Sequence, residues 1–163
     1  MAQALPQHSN LTVITNDIDI TNIMRFSPGS EIIVSGGTLR RTDDGHLGDL
    51  TAQFFGQFKP DFAVMGCPAG DSDGDMSDFD LPEVRVDPAI LWQARRRFIV
   101  DHGKFRRSAP ARIANLTDVD TLITDRLLAP ALEGSVGRRY GSHRPFLTRR
   151  EAARPVSRGR ARQ

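Results

Sequence analysis

The chain has 163 residues, 39% of them apolar, a formal net charge of +2 and one cysteine. That length suits one domain with a real core, a lone cysteine excludes an internal disulfide, and no apolar run reaches membrane-spanning length. The charge is uneven: nine arginines and one glutamate lie between Arg138 and Gln163, so the tail carries +8 and residues 1–137 carry −6. A basic globular face for nucleic acid is therefore not supported by the body of the chain. Met1 to Asn10 lacks the basic and apolar regions of a signal peptide, so a cytoplasmic setting without a membrane partner is expected.

Five short segments rich in Val, Ile and Phe read as strands: Leu11–Thr15, Glu31–Ser35, Phe62–Gly66, Phe98–Asp101 and Thr121–Asp125. Between them the spacing turns helical. Leu47, Leu50, Phe54 and Phe58 recur at intervals of three and four and predict one apolar stripe. Asp87-Pro88 has the form of a helix start, an N-cap carboxylate followed by proline. That helix then carries Ile90, Leu91 and Ala94 and ends in a run of arginines, where its dipole favours them. A further short helix is expected from Arg126 to Leu132. Strand and helix alternating at this pitch predict an α/β fold with a mainly parallel sheet and right-handed crossovers.

In a parallel sheet all five strand ends fall on one edge, where open α/β sheets bind ligands. Thr15-Asn16, Gly36-Gly37-Thr38, Gly66, Asp101 to Lys104 and Asp125 would gather there. Phe98-Ile99-Val100 running into Asp101-His102-Gly103-Lys104 is the densest of these ends. Alone, it reads first as a surface turn with a weak ion pair. The recurrence of polar and glycine residues at five ends is what points to a crevice for a small polyhydroxylated, phosphorylated ligand.

Residues 66–83 are expected to form a long acidic loop acting as a ligand lid. Asp71-x-Asp73-x-Asp75 resembles the opening of a calcium loop, but glycine stands at its fourth position and Pro82 at the twelfth, so no metal is expected. The four histidines lack zinc spacing. Cys67 reads as a small core residue rather than a nucleophile. No dinucleotide, Walker or nucleophile-elbow fingerprint is present, and no cofactor is expected.

Taken in order, Leu11-Thr12-Val13-Ile14-Thr15-Asn16, Gly36-Gly37-Thr38-Leu39-Arg40, Gln57-Phe58-Lys59-Pro60-Asp61, Asp73-Gly74, Phe79-Asp80, Glu83-Val84-Arg85, Asp101-His102-Gly103-Lys104-Phe105 and Asp120-Thr121-Leu122-Ile123-Thr124-Asp125 are familiar. Over residues 4–128 the chain resembles the C-terminal sensor domain of the DeoR family of bacterial sugar-metabolism repressors. The resemblance implies a Rossmann-like fold related to ribose-5-phosphate isomerase and coenzyme A transferases, and no enzymatic activity. A homo-oligomer is expected, touching DNA only indirectly or, through its arginine-rich tail, non-specifically. The implied effector is a phosphorylated sugar or polyol, glycerol 3-phosphate-like, held by Thr15, Asn16, Gly36, Gly37, Thr38, Asp73, Asp101 and Lys104, with Lys104 neutralising phosphate.

Several departures from the family pattern are expected to matter. The winged helix-turn-helix and the first strand with its phosphate loop have no counterpart, so the sheet is expected to be incomplete. Gly103 stands where serine is usual and Arg106 where glycine is usual, and Pro88 falls inside a helix that should begin near Glu83. The expected organisation is a helix remnant over 1–10, a sensor domain over 11–134 and a basic disordered tail over 135–163. Two alternatives stand beside the sensor reading: a sugar-phosphate isomerase-like enzyme, and a fragment that is non-functional or only pairs with a partner.

Overall fold

Each of the five expected strands forms, and each pairs in parallel. A computed structural model describes residues 2–67, 69–101 and 109–124. The turn containing Gly103, Lys104 and Arg106, residue Asp125, the helix expected over Arg126–Leu132 and the arginine-rich tail lie outside the described residues. A 3₁₀ segment, Ala2–Gln7, precedes β1 (Thr12–Thr15), α1 (Ile18–Met24) and β2 (Glu31–Val34). The chain continues through β3 (Thr38–Arg40), β4 (Gly45–Leu47), α2 (Asp49–Phe55), β5 (Phe62–Gly66), β6 (Ala69–Gly70) and β7 (Asp75–Asp78). It then runs through α3 (Leu81–Gln93), β8 (Arg96–Asp101), β9 (Ala111–Asn115) and β10 (Thr121–Thr124).

The parallel strands do not make one ladder. Among the described residues β1 pairs only with β2, while β8 lies between β5 and β10 in a separate three-stranded sheet. The chain between β2 and β5 forms the antiparallel β3–β4 hairpin and α2, which adds no strand to either parallel sheet. The expected single edge is thus divided in two. The fold remains mixed α/β with parallel sheets, as a Rossmann-like architecture requires.

Residues 66–83 are not a long loop. Ala69–Gly70 and Asp75–Asp78 form an antiparallel pair extended by β9. The acidic residues between them make its turn: Asp71 Oδ1 accepts the N–H groups of Asp73 and Asp75, both at 3.0 Å. Short polar side chains that bond the backbone ahead of them favour a turn over an open loop.

Helix α3 starts six residues before Asp87, with Pro82 in its first turn and Pro88 inside it. Asp87-Pro88 is therefore not a helix start. Asp87 is 9% exposed, and a carboxylate this buried cannot serve as a solvent-facing cap. The arginines do not end the helix either. Arg96 and Arg97 open β8, where Arg97 N–H donates to Asp120 Oδ2 at 2.8 Å and Arg96 N–H donates to the Asp61 carbonyl at 3.0 Å.

Two apolar clusters form the core. One comprises Cys67, Met76, Leu91, Ile99, Ile113, Ala114, Leu116, Val119 and Leu122, between β5–β8–β10 and β6–β7–β9. The other centres on Leu47, Phe55 and Val86, with Ile14, Ala52, Phe54, Ala89 and Ile90 packed against it. Helix α3 contributes to both, through Leu91 and Val86. The expected stripe on α2 shifts accordingly. Leu47 belongs to β4, the helix begins only at Asp49, and Thr51 and Phe55 face inward while Leu50 is 72% exposed. In the three-stranded sheet, Ala63 and Ile99 are buried while Phe62 and Val64, on the opposite face, are exposed. Phe98 is half-buried on that opposite face. β8 is thus covered mainly on one side rather than on both.

Leu122 has no exposed surface. Leu122→Ala should therefore lower unfolding free energy by about 2–5 kcal/mol, read by urea denaturation, whereas Leu50→Ala should change it by no more than about 0.5 kcal/mol.

Candidate functional site

The ends of β1 and β2 are drawn together by their own hydrogen bonds. Ser35 N–H donates to the Thr15 carbonyl at 2.9 Å, extending the ladder one residue past β2. Thr15 Oγ1 accepts Asp17 N–H at 3.1 Å, and Asp17 in turn caps α1 by accepting Ile20 N–H at 2.9 Å. Asn16 exchanges bonds with β4: its Nδ2 donates to the His46 carbonyl at 3.0 Å, and His46 N–H donates to the Asn16 carbonyl at 2.7 Å. The Asn16 side chain is therefore already engaged, locking the β3–β4 hairpin over the end of β1.

Gly36 and Gly37 follow β2. The Gly36 carbonyl accepts Thr51 Oγ1 of α2 at 2.8 Å. Gly37 has φ +137°, and a Cβ there would stand 2.2 Å from Thr51 Oγ1 and 2.8 Å from the Leu47 carbonyl. Only glycine fits. Nothing lies within 4 Å of a Cβ built on Gly36. Among the described residues, the N–H groups of Gly36 and Gly37 engage no acceptor.

Beside this turn lies a cavity of about 390 Å³ lined by Thr38, Arg40, Leu47, Gly48, Asp80 and Pro82. It is a half-open depression rather than an enclosed cavity, with room for a small molecule. Arg40 is its charged wall, and four of its five guanidinium N–H donors go to carboxylates. Nε donates to Asp43 Oδ1 at 2.8 Å and Nη2 bonds Asp43 Oδ2, while Nη1 donates to Asp80 Oδ2 at 2.8 Å and Glu83 Oε2 at 2.6 Å. These bonds tie the β3–β4 hairpin to the start of α3. They hold the guanidinium charged, the Asp43 hydrogen bonds contributing most, and the same pairing holds the Asp43 carboxyl below its usual range.

Behind Arg40 the acids crowd. Glu83 and Asp87 stand four apart on α3, so they share a face, a like-charge spacing that disfavours the helix. Asp78 Oδ1 accepts the N–H groups of Phe79 and Asp80, while its buried Oδ2 has no donor among the described residues. Burial pushes Asp87 up to about 8, with the charges of Glu83 and Asp78 adding to it and Arg40 opposing. Burial also raises Glu83, in spite of its bond to Arg40.

Of the eight residues expected to hold a ligand, the structure gathers Thr15, Asn16, Gly36, Gly37 and Thr38 at one end, and among the described residues only Thr38 of the eight lines the cavity. Asp73 is elsewhere, in the β6–β7 turn, where its carbonyl accepts Asn115 Nδ2 at 3.2 Å. Asp101 ends β8, its backbone paired with Thr124 of β10. Lys104 lies outside the described residues.

These features sit in a sequence with clear relatives. The family model for the DeoR C-terminal sensor domain matches residues 1–126. The chain belongs to that family. This DeoR sensor domain is 39% identical over 126 residues to the glycerol-3-phosphate regulon repressor of Escherichia coli (strain K12), covering 77% of this chain and 50% of that protein. It is 38% identical over 125 residues to the protein of the same name from Haemophilus influenzae, covering 76% and 49%. To the HTH-type transcriptional repressor CsqR of Escherichia coli it is 37% identical over 134 residues, covering 82% and 51%. The chain thus spans about half the length of the curated relatives it matches.

In the DeoR sensor domain, sequence reasoning placed Arg40, Asp80 and Glu83 among the resemblance motifs without giving them a role in the site. Of its acidic partners, Asp43 is three positions away, but Asp80 and Glu83 come from 40 and 43 positions on, which no local spacing reveals. The Glu83–Asp87 pair was the available signal, since two acids one helical turn apart on a partly buried helix need a reason to be there.

The Gly37 geometry sets a contrast. Gly37→Ala should cost the DeoR domain about 1–3 kcal/mol of unfolding free energy, and Gly36→Ala much less, both by urea denaturation. Asp87 sets a pH dependence. Between its ordinary 3.8 and about 8, the folded state keeps a proton that the unfolded chain has released. Stability should be greatest below that window and fall as pH rises through it. Urea midpoints measured from pH 5 to pH 8 should decline in the wild type, and Asp87→Asn should flatten the slope.

Proposed function

We propose that this domain is the effector-sensing part of a DeoR-type transcriptional repressor and that its effector is a phosphorylated sugar or polyol of the glycerol 3-phosphate type. The observation that carries the reading is the cavity beside Gly36-Gly37-Thr38 at the C-terminal end of β2, where a parallel α/β sheet presents backbone donors to a ligand. The N–H groups of Gly36 and Gly37 suit an anion's oxygens, and Thr38 offers a hydroxyl at the cavity wall. The charge of Arg40 is already offset by Asp43, Asp80 and Glu83, so a phosphate needs another cation. The sequence assigns that role to Lys104. Relatives named as repressors of a glycerol-3-phosphate regulon support the effector class. In the whole repressor, effector binding would shift an oligomer between DNA-binding and non-binding arrangements, each state biased only by the difference in its affinity for the ligand.

A thermal-shift panel of glycerol, glycerol 3-phosphate and several sugar phosphates tests this, with each compound assayed for consumption. The expected result is stabilisation by a phosphorylated compound, none by glycerol, and no turnover. Lys104→Ala should abolish the phosphate-dependent part of the shift. Equal shifts with and without the phosphate, or a shift that survives Lys104→Ala, would remove the lysine from the site.

A further inference from the structure

We propose that Asp78, Glu83 and Asp87 form a site for a hard divalent cation, Mg²⁺, Mn²⁺ or Ca²⁺, binding through one oxygen of each carboxylate. One ligand oxygen from each of the three lies within 4.8 Å of the others. Three oxygens spread to that limit would each lie about 2.8 Å from a central ion, so Ca²⁺, bound at about 2.3–2.6 Å, needs a small closing of the side chains and Mg²⁺, at about 2.0–2.1 Å, a larger one. The donor set is purely carboxylate. Such oxygens select hard cations over the softer metals that seek imidazole or thiolate.

A group of acids alone would be an ordinary surface feature, but here an independent observation points to a missing partner. Asp78 is only 6% exposed, and while its Oδ1 receives two backbone N–H groups, its Oδ2 is buried with no donor among the described residues. A buried carboxylate oxygen left without a donor is costly, and native structures ordinarily supply one or place an ion there. Among the described residues the group beside Asp78 is the Glu83 carboxyl, another acid, which can donate only when it is protonated. The nearby cation, Arg40, spends its hydrogen bonds on Asp43, Asp80 and Glu83, leaving one guanidinium against five carboxylates.

The three ligands come from two elements: Asp78 closes β7, and Glu83 and Asp87 lie one turn apart on α3. Glu83 is half-buried, which leaves a path from solvent. The acidic turn at Asp71–Asp75 is a poorer candidate, because among the described residues its carboxylates do not converge as a trio. The site is separate from the proposed phosphate contacts, so its existence does not depend on the effector assignment.

The experiment uses the full chain stripped with chelator, then titrated with MnCl₂, MgCl₂ and CaCl₂ without effector. Bound Mn²⁺ is counted by loss of the free-ion electron paramagnetic resonance signal, and melting is followed in parallel. The expected result is one saturable Mn²⁺ per chain and, with ion in about hundredfold excess over its dissociation constant, a melting point raised by about 5 °C or more. Asp78→Asn and Asp87→Asn should each abolish both readouts. Asp78→Asn removes a repelling charge and Asp87→Asn replaces a carboxyl whose ionisation burial already disfavours, so both variants should melt at or above the metal-free wild type, and loss of binding is not loss of fold. Asp71→Asn, which keeps its acceptor oxygen, should bind as the wild type does. Absence of bound Mn²⁺ with no shift from any ion would overturn the proposal. So would binding retained by Asp78→Asn and Asp87→Asn, or binding lost in Asp71→Asn. A melting point that depends on pH but not on metal would assign the cluster to shared protons instead.

Discussion

Helix α3 must bury apolar side chains in two directions while carrying two acids on a third side, and the surrounding elements are disposed around that requirement. Val86 enters the cluster with Leu47 and Phe55, and Leu91 enters the cluster with Ile99 and Leu122. Glu83 and Asp87 point to neither. Arg40, reaching across from the β3–β4 hairpin, makes that third side tolerable by pairing with Glu83 and with Asp80 just before the helix. Pro88 adds a local weakness, since it cannot donate the helical bond that would close on Val84. A partly exposed guanidinium–carboxylate network is weak evidence for net stability, but several bonds converging on one side chain constrain register. Here it fixes where the hairpin sits on the helix.

The same network shapes the cavity. Thr38 and Arg40 share β3, Leu47 and Gly48 follow from β4, and Asp80 and Pro82 open α3. The wall charges are thus internally neutralised, and the polar capacity left for a ligand is mostly backbone and hydroxyl. At the adjoining turn, Gly37 brings the main chain against Thr51 and the Leu47 carbonyl, an approach that any side chain would prevent. Positioning of this kind suits recognition by N–H groups rather than by long flexible cations.

Much of the fold was legible from the chain alone. Val-Ile-rich runs found all five parallel strands within a residue or two, because burial of β-branched residues leaves a strong local mark. Cys67 was read correctly as core, at 2% exposure. What failed was non-local. The split between the β1–β2 pair and the β5–β8–β10 sheet depends on which strands find neighbours, and short-range pattern does not encode that. The hairpin inside residues 66–83 was hidden because its strands are two and four residues long and acidic. Asp87-Pro88 imitated a helix start so well that only the burial of Asp87 corrects it. Of the residues expected at the site, those from Thr15 to Thr38 do gather at the ends of β1 and β2, Asp73 lies apart in a turn, and the Arg40 hub was invisible because two of its three partners lie far along the chain.

Shared membership of α3 in both clusters has a thermodynamic consequence. Stripping either cluster bares one flank of the same thirteen-residue helix, so neither parallel sheet retains its packing once the other has opened. The two sheets therefore melt in a single cooperative transition rather than as independent foldons, despite sharing no backbone ladder among the described residues.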